Sequence, residues 1–233
     1  MVDLNKFEQD IGLKFQNRDL LKQAFIHRSY LNEHREIKLG HNERLEFLGD
    51  AVLELVVTDF LYQKYPDKPE GELTAYRAAL VNAVTLSGQA GDLGMNDYLL
   101  LSKGEAKDKG RARQIILANV FEAVVGAIYL DQGYIGAKKF IEQTVLVEDE
   151  KNVSAGLAQD SKSFFQRKAQ EVFSVTPSYK ILSELGPDHN KKFVVGLYLG
   201  EEQVAEGEGH SKQEAEQEAA KNGLEAKNWQ GSY

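Results

Sequence analysis

The stretch HNERLEFLGDAVLELVV, His41–Val57, places Glu43, Glu46 and Asp50 at i, i+3 and i+7. At about 100° per residue these carboxylates fall within roughly 60° of one another on one helix face. Leu45, Leu48, Val52, Leu55 and Val56 take the opposite face, and Phe47 and Leu53 flank the acidic row. A solvated helix face would explain the acids alone. A second stretch asks for more. In IILANVFEAVVGAIYL, Ile115–Leu130, nearly every position is apolar, which predicts a helix buried on most sides. Asn119 and Glu122 nevertheless sit in its middle, at i and i+3. An unpaired buried carboxylate is costly, so a Lys, an Arg or a cation should compensate it.

A hard divalent cation such as Mg²⁺ takes oxygen ligands, usually one or two carboxylates with water and phosphate oxygens. Glu46, Asp50, Asn119 and Glu122 would offer such donors from two packed helices, and Gly126, one turn beyond Glu122, would let the helices approach closely. The spacing makes a metal site plausible and does not by itself choose between the compensations.

Bulk composition narrows the classes. A chain of 233 residues, 42% hydrophobic, can bury a core in one large domain or two ordinary ones. It has no cysteine, which removes disulfides and thiolate metal sites. No segment approaches about 18 uninterrupted apolar residues, and MVDLNKFEQD at the start lacks a signal-peptide pattern. The expectation is a cytoplasmic protein with no membrane partner. A net charge of −8 argues against holding nucleic acid by a generally basic surface.

The periodicity divides the chain in two. DLLKQAFIHRSYLN, ERLEFLGDAVLELVVTDFLYQKY, GELTAYRAALVNAVTLSGQAGDL, RQIILANVFEAVVGAIYLDQG and GAKKFIEQTVL read as helices, with Pro66 ending the second and the Gly133 region ending the fourth. This assigns residues 1–146 to an all-α domain. The polar, aperiodic VEDEKNVSAGLAQD reads as a linker, taken as 147–159. In 160–229, SKSFFQRKAQEVF reads as a helix, PSYKILSEL, KKFVVGLYLG and EQVAEGEG as strands, and SKQEAEQEAAKNGLEAK as a helix with Ser211 as its N-cap. An α-β-β-β-α order predicts an antiparallel sheet with both helices on one face, a small α+β domain.

HNERLEFLGDAVL resembles the signature of the ribonuclease III family, N-E-R-L-E-F-L-G-D, and FIHRSY, GELTAYRAALVN and ILANVFEAVVGAIYLDQG match the family's other conserved blocks in order. The second half resembles the double-stranded-RNA-binding domain that follows in bacterial members. The resemblance implies an endonuclease domain and an RNA-binding domain. It further implies a homodimer that cuts double-stranded RNA with Mg²⁺, or Mn²⁺ in its place, leaving 5′-phosphate ends and short 3′ overhangs. The implied substrates are ribosomal-RNA precursors and structured transcripts.

Carried onto this chain, the family's metal ligands fall on Glu46, Asn119 and Glu122, joined by Asp50, with Asp50 and Glu122 most directly tied to catalysis. Glu43 lies near the subunit interface in relatives and helps shape the cleavage site. Glu72 takes a similar supporting part, or is an N-terminal acid satisfying its helix dipole. His27 is expected to be structural, and His41 to cap or flank its helix. One departure stands out: relatives usually carry aspartate where this chain has Asn119. The amide keeps an oxygen for the metal and removes a charge, so either activity persists or the chain is an impaired, RNA-binding dimer.

In the RNA-binding domain the family pattern points to Lys162 and Gln166 on the first helix, to His189 and Lys191 between the first two strands, and to Ser211, Lys212 and Gln213 at the last helix. A-form RNA is read there by shape, through 2′-hydroxyls and phosphates. Relatives often carry two basic residues where this chain has Lys212 and Gln213. From residue 160 onward, 9 Lys+Arg face 12 Asp+Glu, so modest and salt-sensitive affinity is expected.

Overall fold

The computed structural model describes residues 3–147, 161–186 and 191–229. Contacts divide the chain into two units, 1–152 and 153–233. The expected linker, apart from Val147, lies outside the described residues, as does His189.

The first unit is helical, as expected: α1 (Leu4–Asp10), α2 (Arg18–Ala24), α3 (Arg28–Glu33), α4 (Glu43–Lys64), α5 (Glu70–Leu80), α6 (Ala83–Asp92) and α7 (Arg111–Thr144), with 3₁₀ turns at Met95–Tyr98 and Glu105–Lys107. Two expected single helices are broken in two, each for an identifiable reason. Between α2 and α3, Ile26 bridges to Leu100, and the Leu100 N–H donates to the Phe25 carbonyl at 2.9 Å. This cross-chain pairing satisfies backbone groups that a continuous helix would have used internally. Between α5 and α6, the Asn82 side chain accepts from the N–H groups of Val84 and Thr85, starting a new helix. Gly133 has φ 73°, which a side chain would resist, and kinks α7 where the sequence predicts a stop.

The core forms where α4 and α7 cross, with α6 against α7. Leu45, Val52, Leu53, Val56, Val57 and Leu61 are buried from α4, and Ile116, Ala118, Val120, Phe121 and 123–128 from α7. Two side chains on α4 correct the helical wheel. Leu55, expected on the buried face, is 58% exposed, and Leu53, expected at the flank, is fully buried. The wheel fixes angles but not which neighbour covers them, and α7 meets α4 on the side that carries Leu53. By length and hydropathy α7 could cross a membrane, but 56% of its most apolar window is buried in the protein, the setting of a core helix.

In the second unit α8 (Ser161–Phe173) precedes an antiparallel sheet in the order β1 (Ser178–Leu185), β2 (Lys192–Leu199) and β3 (Glu202–Gly209), and α9 (Lys212–Ala226) follows it. Ile181 pairs with Val195 and Leu197 with Ala205, with a register slip in each ladder. Phe165 and Ala169 of α8 meet Ala219, Ala220 and Leu224 of α9 over Leu197, so both helices cover one sheet face. Ser211 accepts from the Glu214 N–H and caps α9, and Glu214 returns a bond to the His210 N–H.

Candidate active site

Two glycines set the geometry. A Cβ on Gly49 would stand 1.8 Å from the Glu122 carbonyl oxygen, and one on Gly126 would stand 2.2 Å from the Leu45 carbonyl oxygen. Neither position has room for a side chain, so α4 and α7 cross with their backbones in contact. Glu46 and Asp50 bracket Gly49 in the chain, and Asn119 and Glu122 lie within two turns before Gly126. The crossing therefore brings these four side chains together.

Their electrostatics follow from that proximity. Burial pushes the Glu122 carboxyl up to about 7, helped by the charges of Asp50 and Glu46. Burial also raises Glu46, reinforced by Glu43 and Asp50, while a hydrogen bond from Asn119 offsets part of the rise. Asp50 is raised by burial and then by Glu54. Among the described residues no Lys, Arg or His forms an ion pair with Glu46, Asp50 or Glu122. The sequence left open whether a protein cation or a bound one compensates these acids, and the described part of the protein supplies none.

The donors are all hard oxygens, and their negative charge is partly desolvated and uncompensated, which fits a divalent cation. They do not form a finished cage: among the described residues no group of three or more His, Asp or Glu side chains is disposed to hold a metal alone. Any bound cation would draw on the Asn119 oxygen, water or substrate oxygens as well.

The supporting acids are placed differently. Glu43, first residue of α4, lies 3.7 Å from both Arg28 and His41. Glu72 pairs with Lys68 at 2.8 Å and accepts from the Tyr76 hydroxyl at 3.4 Å, apart from the other carboxylates. That placement matches its reading as an acid near a helix N-terminus. Asn42, not His41, is the N-cap residue of α4, and His41 flanks it. His27 caps α3, the structural role expected of it. His27 and Arg28 also line a cavity of roughly 280 Å³ with Asn42, Glu43, Glu46, Ile115, Ile116 and Asn119. Sequence reasoning did not connect Arg28 to the acids; its position on the preceding helix, beyond the loop that joins α3 to α4, hides the contact.

The candidate RNA-binding residues are mostly engaged within their own unit. Lys162 pairs with Glu216 at 2.5 Å and lies over the Tyr179 ring. Lys191 pairs with Glu184 at 2.9 Å. Gln166, Lys212 and Gln213 are exposed, with Lys212 over the Phe193 ring. Ser211 spends its hydroxyl on the cap of α9.

Residues 17–148 match the family described as Ribonuclease-III-like, and residues 161–227 match the double-stranded RNA binding motif. Ribonuclease 3 of Streptococcus thermophilus is 43% identical over 220 residues, covering 94% of this chain and 96% of its own length. Ribonuclease 3 of Oceanobacillus iheyensis is 44% identical over 230 residues, covering 97% and 99%. A crystal structure of the nuclease domain of ribonuclease III from Campylobacter jejuni is 38% identical, with a TM-score of 0.56, and covers 64% of this chain and 97% of its own. A second structure of that domain, described as flexible in a region involved in dimer formation, superposes with a TM-score of 0.55 at 38% identity, over 62% of this chain and all of its own.

Proposed function

The chain belongs to the ribonuclease III family and is an endoribonuclease acting on double-stranded RNA, and from that premise we propose that Glu46, Asp50, Asn119 and Glu122 form its Mg²⁺-dependent hydrolytic site. Mn²⁺ serves in place of Mg²⁺. The products carry 5′-phosphates and short 3′ overhangs, and the substrates are ribosomal-RNA precursors and structured transcripts in the cytoplasm. The observation that carries this reading is the raised carboxylate set at the α4–α7 crossing, which no cation among the described residues pairs with.

Family members depend on a divalent metal, and here Glu46, Asn119 and Glu122, with Asp50, would hold it. Bound there, it would lower the pKa of water and neutralise charge on the phosphate and the leaving oxygen. The chain's own residues do the rest. Glu122, near neutrality in its metal-free state, gives up its proton to become a full ligand. Asp50 and Glu46, on the adjoining helix, keep the site negative, so that an RNA phosphate enters only alongside compensating charge. Hydrolysis adds water to phosphorus and releases the 3′ oxygen as a hydroxyl, leaving the phosphate on the 5′ end. Asn119 donates toward Glu46 and so relieves repulsion among the acids. The reading of the chain as an impaired enzyme is not favoured, since Glu43, Glu46, Asp50 and Glu122 are all in place.

The homodimer receives support from an apolar strip on α4. Phe47, Leu55 and Tyr62 are 81%, 58% and 74% exposed and point within about 80° of one another, a face suited to a second copy. The nuclease is taken to run to residue 146 and the RNA-binding domain from 160, a division supported by the matched segments 17–148 and 161–227. Cleavage of long double-stranded RNA by the full chain, with and without Mg²⁺, tests the reading. Glu122→Gln should lower cleavage about a thousandfold and leave RNA binding intact. Near wild-type cleavage by this variant at limiting Mg²⁺ would refute the site.

A further inference from the structure

The cavity beside the carboxylates has a wall that the hydrolytic role of the acids does not use. His27 Nδ1 accepts from the Ser29 backbone N–H at 3.3 Å and lies 2.8 Å from the Ser29 hydroxyl. That hydroxyl accepts from the Ser102 N–H at 3.1 Å, so its own proton is directed to the ring. A backbone N–H can only donate, so Nδ1 carries no proton, and the neutral ring holds its proton on Nε2. Burial lowers the His27 pKa, which keeps the ring in this neutral form. Among the described residues no protein group accepts from Nε2. Arg28, the next residue, lines the same cavity with a largely exposed guanidinium, held by its 3.7 Å pair to Glu43. Two donors thus share a cavity with Glu46 and Asn119.

We propose that His27 and Arg28 form an RNA-backbone subsite next to the scissile position, donating hydrogen bonds from Nε2 and the guanidinium to an acceptor oxygen of a neighbouring nucleotide. This rests on the reading of the chain as a nuclease of double-stranded RNA. The acids at the crossing repel a phosphodiester. A fixed neutral donor and a cation at the edge of the same cavity counter that repulsion and orient the strand. The acceptor is a phosphate oxygen or a 2′-hydroxyl, and the two are separable by modifying the RNA.

The test is cleavage, in Mg²⁺, of a short RNA hairpin with one cut site by the full-length wild type, His27→Asn and Arg28→Gln. Asparagine keeps an acceptor for the Ser29 N–H and preserves the cap, so the melting temperature of H27N should match the wild type. Its kcat/KM should fall about tenfold, the cost of one hydrogen bond to a charged or strongly polar group. Single methylphosphonates and single 2′-deoxy substitutions are then placed along the strand. One modification should cost the wild type about as much as H27N does and cost H27N nothing further. Its type identifies the acceptor. R28Q, altered at an exposed side chain, should show the same loss of sensitivity at the same nucleotide, and it carries the test if H27N melts early. Wild-type kcat/KM in both variants, or losses that simply add to every modification, would overturn the subsite. A wild type that leaves double-stranded RNA uncut would instead overturn the parent reading.

Discussion

The two units handle charge in opposite ways. At the α4–α7 crossing, Glu46, Asp50 and Glu122 are pressed together with no pairing cation among the described residues, and all three are pushed toward their neutral forms. In the C-terminal unit two of the three lysines expected to meet RNA are already matched, Lys162 to Glu216 and Lys191 to Glu184, while Lys212 lies over the Phe193 ring. The first arrangement gathers unfavourable charge that a bound divalent ion would relieve. The second must exchange protein ion pairs for phosphate, a nearly even trade that salt shifts easily. With a net charge of −8, the chain is therefore expected to hold RNA modestly and with strong salt dependence.

The largest effect should come from closing the gap on which the acidic site depends. Gly49→Ala puts a methyl 1.8 Å from the Glu122 carbonyl oxygen, and the helices must part to admit it. We expect a loss of more than about 3 kcal/mol in chemical unfolding, together with loss of cleavage. Unchanged stability would mean that the two backbones do not meet at this point.

That contact shows what the sequence revealed and what it hid. The carboxylate row, Asn119 and Glu122, the glycine beyond them and the α-β-β-β-α order were legible from spacing, because periods of 3.6 and 2 follow from local backbone geometry. Gly126 was legible as a point of close approach; Gly49, inside the signature itself, was not singled out, since only the crossing reveals its partner. The breaks at Ile26 and Asn82 were hidden in sequences with unbroken apolar periodicity. One depends on a partner at Leu100, and the other on an asparagine that could equally have stayed within a helix. Leu53 and Leu55 exchanged roles because burial is decided by the neighbouring helix. The pairing of Lys162 with Glu216 lay beyond reach, as it joins two helices separated in the chain by all three strands.

Asn119→Asp sharpens the contrast by adding a fourth charge to the first site. It replaces the hydrogen bond to Glu46 with repulsion, so the metal-free protein should melt earlier above neutral pH. A carboxylate is also the stronger ligand for a hard cation, so the Mg²⁺ needed for half-maximal cleavage should fall about tenfold or less. Superimposable Mg²⁺ titrations for the two proteins would remove position 119 from the ligand set.

The smallest effect belongs to the C-terminal unit. Glu216→Gln frees Lys162 from its partner, and a partly solvated pair of this kind is worth about 1 kcal/mol. Affinity for double-stranded RNA should rise about two- to fivefold at low salt, with a steeper salt dependence. A decrease would show that Glu216 holds Lys162 in its binding position.

The central claim is that the acids at the crossing carry a charge cost which a divalent cation relieves. Glu122 is held at about 7 in the folded metal-free chain, against an ordinary value of 4.5. Between those values the folded state holds a proton that the unfolded state has lost, so stability falls as pH rises through this window. Cation binding must then expel that proton. Calorimetric titration of the full-length protein with Mg²⁺, in buffers of different ionisation enthalpy, measures the release directly. The expected result is a fraction of a proton released per ion near pH 7, falling toward zero by about pH 9, and a much smaller release from Glu122→Gln at every pH. Equal proton release from the two proteins, or none from the wild type at pH 7, would contradict the account.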